Sequence, residues 1–136
     1  MKVSRLLGAT AAALALALPV VASAQESGLS AATLRAAAAR LIAAELAGDG
    51  AGACGVLYAP LAATVDGRTC AHRWDARSRL LLASPRLARG LRADQRAVAT
   101  AAVTINGEHG RIALPLPLLD GDSRFYWTAN CWMLTH

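Results

Sequence analysis

Val103-Thr104-Ile105-Asn106-Gly107-Glu108-His109-Gly110-Arg111-Ile112-Ala113-Leu114 reads as two alternating runs on either side of Asn106-Gly107. Asn-Gly between such runs is the strongest short hairpin signal, because both residues accept the left-handed backbone of a tight two-strand turn. A turn made of Asn106-Gly107 pairs Ile105 with Glu108, Ala101 with Ile112 and Ala99 with Leu114. Opposed residues share a face. Ala101, Val103 and Ile105 then line one apolar face with Ile112, Leu114 and Leu116, and Thr104, His109 and Arg111 fall on the other. The expected strands are Val98–Ile105 and Arg111–Leu116. Pro115 and Pro117 have no N–H to give a ladder, so that end lies at a sheet edge or leaves the sheet.

Downstream, Asp120-Gly121-Asp122 signals a second turn, and Ser123–Leu134 reads as one long final strand. Its alternation puts Phe125, Trp127, Ala129, Cys131 and Met133 on an apolar face. Tyr126, Thr128, Asn130, Trp132 and Leu134 make a mixed face opposite.

Upstream the periodicity is helical. Ser30 is a good N-cap for a helix running to Ala47, with Leu34, Ala38, Leu41, Ile42 and Leu46 as its apolar positions and Gly48 placed to end it. From Asp49, Cys54, Leu57, Tyr58 and Leu61 recur at i, i+3, i+4 and i+7, a second helix ending near Pro60. An Asp66-Gly67 loop leads to a third helix, about 70–83, capped by Thr69 and stopped by Pro85. Residues 84–96 are Arg-rich and read as either loop or a short helical turn. Three helices followed by an antiparallel sheet is an α+β arrangement.

The first 24 residues carry a different message. A basic Met1-Lys2-Val3-Ser4-Arg5 precedes an apolar run from Leu6 to Val21, and Ala22-Ser23-Ala24 puts small residues ahead of Gln25. That order is the one found in a cleavable signal peptide, and the Pro19-broken run is short for a membrane span. The expected organisation is residues 1–24 signal, 25–29 polar leader and 30–136 a single domain. The expected destination is the periplasm or the exterior, with no transmembrane anchor after cleavage. Removing 24 of 136 residues leaves 112, enough for one modest core. Lys2 and Arg5 leave with the signal, so 12 basic residues face 9 acidic ones, a net of +3. That balance is too small to imply nucleic-acid binding.

Export allows disulfides among Cys54, Cys70 and Cys131, with three possible pairings. Cys70 shares a helical face with Trp74 and Leu81, as Cys54 does with Leu57 and Leu61, so both point inward from neighbouring helices. Cys54–Cys70 is therefore the favoured bridge. It leaves Cys131 as a buried small hydrophobe in a strand, or as a thiol for an intermolecular bond.

The order of features resembles small exported bacterial members of the nuclear-transport-factor-like superfamily, which includes polyketide-cyclase-like and ketosteroid-isomerase-like proteins. The residues carrying the resemblance are Gly48-Asp49 after a long first helix, Ala53-Cys54-Gly55-Val56-Leu57, Thr69-Cys70, Val103-Thr104-Ile105-Asn106-Gly107 and the Trp-containing last strand. It spans about residues 30–134. It implies a cone-like fold in which a curved antiparallel sheet wraps a pocket against three helices. Some relatives are enzymes, and many are binding or dimerisation modules. The isomerase-like enzymes need a carboxylate base facing a Tyr and a second acid. Here Tyr58 and Tyr126 are the only tyrosines, and Glu108, at a hairpin tip, is the only strand-region acid. An Asp-Arg-Asp set of the hydrolase kind cannot be placed either.

A search for other chemistry returns little. No serine sits in a Gly-x-Ser-x-Gly elbow. Cys70-Ala71-His72 with Asp75 matches no zinc spacing, so no metal or other cofactor is expected. Two surfaces remain. Trp74, Tyr126, Asn130 and Trp132 are candidates for a pocket wall, since each joins an apolar or planar body to a polar end. Arg73, Arg77, Arg86, Arg89, Arg92 and Arg96 form a basic run offset by Asp75 and Asp94. They read either as a solvated surface or as an attachment to anionic envelope material. The expected function is an exported, non-catalytic binding or dimerisation module for a small apolar ligand or a protein partner, a second copy of the chain included. The alternatives are a cyclase- or isomerase-type enzyme and a cationic envelope-binding protein.

Overall fold

The computed structural model describes residues 28–56, 69–118, 123–128 and 131–135. The expected signal peptide, Leu57, Tyr58, Leu61, the Asp66-Gly67 loop, the Asp120–Asp122 turn and Asn130 lie outside the described residues.

Among the described residues four helices come first: α1 (Ala31–Ala47), α2 (Gly50–Cys54), α3 (Cys70–Ala83) and α4 (Pro85–Ala97). Each starts on a side-chain cap that satisfies a free N–H of the first turn. Ser30 and Thr33 cap α1 reciprocally, each side chain taking the other's backbone N–H at 3.2 Å. Asp49 accepts from Gly52 N–H at 2.9 Å, Thr69 from His72 at 3.3 Å and Ser84 from Leu87 at 3.4 Å. Gly48 closes α1 in the left-handed conformation, with φ +66°.

Two helical expectations are corrected. The second helix stops at Cys54 rather than near Pro60. Its sequence, Gly50-Ala51-Gly52-Ala53-Cys54-Gly55, has too much glycine to propagate far. At Val56 the carbonyl instead accepts the N–H of Leu134, at 2.8 Å. In place of the loop or short turn expected for residues 84–96, Pro85–Ala97 is a full 13-residue helix with Ser84 as its cap. Pro85 both ends α3 and occupies the first turn of α4, where its missing N–H costs nothing.

The strands follow as β1 (Val103–Asn106), β2 (His109–Ile112), β3 (Ser123–Thr128) and β4 (Cys131–Leu134), in an open antiparallel sheet of order β1-β2-β3-β4. The chain is α+β, as expected. Val98–Thr100 is a 3-10 turn, not the start of a strand, so β1 is shorter than expected. Asn106 pairs with His109, which makes the turn Gly107-Glu108 and moves the register by two residues. Gly107 supplies the positive φ, +59°. A shift of two keeps every side chain on its face, so Val103 and Ile105 still join Ile112 on the core side.

The final strand is really two. Thr128 pairs with Cys131 and Trp127 with Trp132. Beyond this turn the alternation is inverted: Trp132 and Leu134 share the buried face with Phe125 and Trp127. Cys131 and Met133 move to the outer face with Tyr126 and Thr128, contrary to the single-strand reading.

The core fills the layer between α1 and the sheet. Leu34, Leu41 and Ile42 of α1 are fully buried, as are Ile112, Phe125, Trp132 and Leu134. Gly110, opposite Ile105 and Phe125, has no side chain because Leu34 and the Trp132 ring occupy that space. Cys54 and Cys70 are joined, with Cα atoms 6.1 Å apart, which ties the end of α2 to the start of α3. Cys131 is a half-buried free thiol.

Candidate functional site

β2 gives way to Leu114-Pro115-Leu116-Pro117-Leu118, where the two prolines leave Leu116 and Leu118 with N–H groups to place off the sheet. Asp94 Oδ1 on α4 accepts the Leu116 N–H at 2.8 Å, and Ser123 Oγ accepts that of Leu118 at 3.0 Å. Arg77 on α3 donates from Nη2 to the Leu118 carbonyl at 2.9 Å. From Nε the same guanidinium meets Glu45 Oε1 of α1 at 3.1 Å. It also lies over the Trp74 ring, 5.1 Å from the centroid. Three helices thus converge through polar side chains on the proline-rich segment.

The electrostatics of this cluster follow from burial. Glu45 is 1 % exposed, and desolvation raises its pKa more than the Arg77 charge and hydrogen bond lower it, with Asp94 adding repulsion. Asp94 is 0 % exposed and is pushed up to about 6 by desolvation, against the lowering effect of the Leu116 hydrogen bond. Its Oδ2 and the Oγ of Ser78 are buried without a hydrogen-bond partner among the described residues. Neither carboxylate meets solvent, so the cluster positions a segment of chain and presents nothing to a substrate in this conformation.

The outward side of α4 is different. Arg86, Arg89, Arg92 and Arg96 are all exposed, while Ala88, Leu91 and Asp94 face inward. At 100° per residue the four arginines fall within an arc of about 120° and along a rise of roughly 15 Å. Among the described residues none of the four forms an ion pair. Arg73 is exposed on α3, and Arg77 is turned inward to Glu45. The basic run therefore divides into an outward stripe of four on α4, an exposed Arg73 on α3 and one structural guanidinium, Arg77.

The pocket candidates do not come together. Trp74 is buried beneath Arg77. Trp132 lies in the core, with Nε1 donating to Thr33 Oγ1 at 3.0 Å and its ring edge-on to Trp127 at 5.3 Å. Tyr126 is on the opposite face of the sheet, where its hydroxyl donates to Glu108 Oε2 at 2.9 Å and its ring lies 5.2 Å from His109. The shared face expected for Tyr126 and Trp132 is lost to the turn between β3 and β4. Asn130 lies outside the described residues.

An open depression of about 320 Å³ is found where β2 leaves the sheet, bordered by Thr104, Arg111, Pro117 and Ser123. It lies where the paired strand residues Thr104 and Arg111, and Ile112 and Ser123, meet the segment from Ala113 to Pro117 beyond the strand, a juxtaposition that periodicity does not reveal. Among the described residues no group of three or more His, Cys, Asp or Glu is placed to hold a metal. No helix among them is long and apolar enough to cross a membrane. Comparison of the chain with models of known protein families, with curated proteins and with solved structures finds no match.

Proposed function

We propose that the chain is an exported, non-catalytic binding module whose working surface is the arginine face of α4, and that it attaches to polyanionic envelope material. The observation that carries this reading is the stripe of Arg86, Arg89, Arg92 and Arg96, exposed together and without carboxylate partners among the described residues. Four unneutralised guanidinium groups on one face give a local positive potential far above that of the +3 expected for the exported chain. Guanidinium forks match carboxylate and phosphate oxygens two at a time. The Cys54–Cys70 bridge is compatible with an oxidising, exported location.

Retention of the oxidised protein on an immobilised acidic polysaccharide and on anionic phospholipid vesicles tests the proposal. Wild type is retained at low salt and released as salt rises, because exposed charges are screened. The variant Arg86→Gln/Arg89→Gln/Arg92→Gln/Arg96→Gln loses retention on both. Equal retention of variant and wild type on both matrices defeats the reading.

One observation favours a second reading, a cyclase- or isomerase-type enzyme. A buried aspartate titrating near 6 has the proton affinity of a general base at neutral pH. That reading requires the 113–118 segment to lift from Asp94. Hydrogen exchange at the Leu116 amide as slow as in the core strands would rule such opening out.

A further inference from the structure

The corner between α3 and α4 carries an apolar side chain that the core does not use. Leu80 is 74 % exposed, the more exposed of the two large hydrophobics found at the described surface. It lies within the last turn of α3, next to exposed Arg79 and six residues before exposed Arg86, the first member of the α4 stripe. A single Ser84 joins the two helices. The sequence between the two arginines is Leu80-Leu81-Leu82-Ala83-Ser84-Pro85, with Leu81 and Leu82 half buried. An isolated exposed leucine is ordinary. This one is flanked in sequence by Arg79 and, across the Ser84 junction, by Arg86, the first member of the α4 stripe.

We propose that the anionic partner is a phospholipid bilayer, engaged by this corner with Leu80 entering the boundary between headgroups and acyl chains. The inference rests on the cationic reading of α4 and names its partner. The argument is one of complementarity. An acidic polysaccharide offers charge and hydroxyl groups but nothing to receive an aliphatic side chain. An anionic bilayer offers phosphates at the level of Arg79, Arg86 and Arg89, and an apolar layer just beneath them. The long arginine stems lie along such a boundary with their charged heads in the phosphate layer. No transmembrane segment is needed for attachment of this kind.

The test is co-sedimentation of the oxidised full chain with three probes: phosphatidylglycerol-containing vesicles, neutral phosphatidylcholine vesicles and a bead-linked acidic polysaccharide. Each arginine near an anionic bilayer is worth about 1 kcal/mol, roughly fivefold in affinity. Burial of one leucine is worth roughly tenfold or more. Leu80→Asn is therefore expected to weaken binding to the anionic vesicles about tenfold while binding to the polysaccharide stays the same. Leu80→Phe is expected to bind the vesicles at least as tightly as wild type. The position is exposed, and the melting temperature of each variant checks that the fold is intact. Wild-type vesicle affinity for Leu80→Asn overturns the bilayer inference, as does tighter binding to the polysaccharide than to the anionic vesicles. The four-arginine variant separates the two levels: if it keeps full binding to every anionic probe, the cationic reading itself has failed.

Discussion

The carboxylate of Asp94 holds the backbone N–H of Leu116 at 2.8 Å with one oxygen, and its other oxygen is buried without a hydrogen-bond partner among the described residues. Desolvation outweighs the lowering effect of that hydrogen bond, so the folded protein binds a proton at Asp94 more tightly than the unfolded chain does, with a pKa of about 6 against 3.8. A raised carboxylate pKa contributes stability that is fully present below the unfolded value and is lost as pH rises through the folded one. The difference amounts to roughly 3 kcal/mol between about pH 4 and neutrality. Glu45 is shifted in the same direction. Thermal melting is expected to show a more stable protein at about pH 5 than at about pH 7. Asp94→Asn, which keeps an oxygen for Leu116, should flatten most of that slope. A wild-type melting temperature that is flat or falling towards acid contradicts this account.

Gly50 donates its N–H to Asp75 Oδ1 at 2.8 Å, and a Cβ there would overlap the carbonyl oxygen of Ala71 on α3. The obstacle is backbone, which cannot rotate away. Gly50→Ala is expected to cost about 1–3 kcal/mol through forced separation of α2 from α3. The denaturant midpoint of the oxidised protein measures it, and an unchanged midpoint means that the two helices are not in such close contact.

The Cys54–Cys70 bridge spans a sequence separation of 16. Closing a loop of that size in the unfolded chain is worth roughly 3 kcal/mol. Cys54→Ser/Cys70→Ser should lose about that much in chemical denaturation, and adding reductant to wild type should have a similar effect. If oxidised and reduced protein unfold at one midpoint, the bridge has no such role.

Thr33 Oγ1 links the first turn of α1 to the last strand by accepting from Trp132 Nε1. It also donates to the Gly28 carbonyl and accepts from Ser30 N–H, so a single Thr33→Val change mixes several losses. A double-mutant cycle of Thr33→Val with Trp132→Phe isolates the indole bond. A coupling of about 1 kcal/mol is expected, and a coupling of zero would mean that the bond contributes nothing to stability.

What could be read from the amino acids depended on whether each error preserved facing. The β1–β2 turn sits one residue later than Asn106-Gly107 implies, but the resulting two-residue slip leaves Val103, Ile105 and Ile112 on the core side. Between Thr128 and Cys131, which pair, the sequence holds no glycine or proline to mark a reversal of the chain, and alternation runs through without interruption. Missing that turn sent Trp132 to the wrong face and separated it from its true neighbours, Trp127 and Phe125. In α4, an aspartate at a buried position between Leu91 and Val98 broke the apolar stripe that would have identified the helix. The disulfide was legible from Cys70, which shares a face of α3 with Trp74, whereas the pattern that placed Cys54 used Leu57 and Leu61, beyond the end of α2. The Glu45–Arg77–Asp94 cluster was not, since its members lie on three helices and meet only through packing.

Trp132 and Thr33 are 99 residues apart, and that separation orders events as the chain is made. Leu34, Leu41 and Ile42 are among the first core residues to be synthesised, whereas Phe125, Trp132 and Leu134, which cover them, are among the last. At roughly 5–20 residues per second, α1 waits on the order of 5–20 s for its cover. During that interval its apolar stripe has no sheet to bury it. Burial of the α1 stripe is thus completed only when the last two strands have been made.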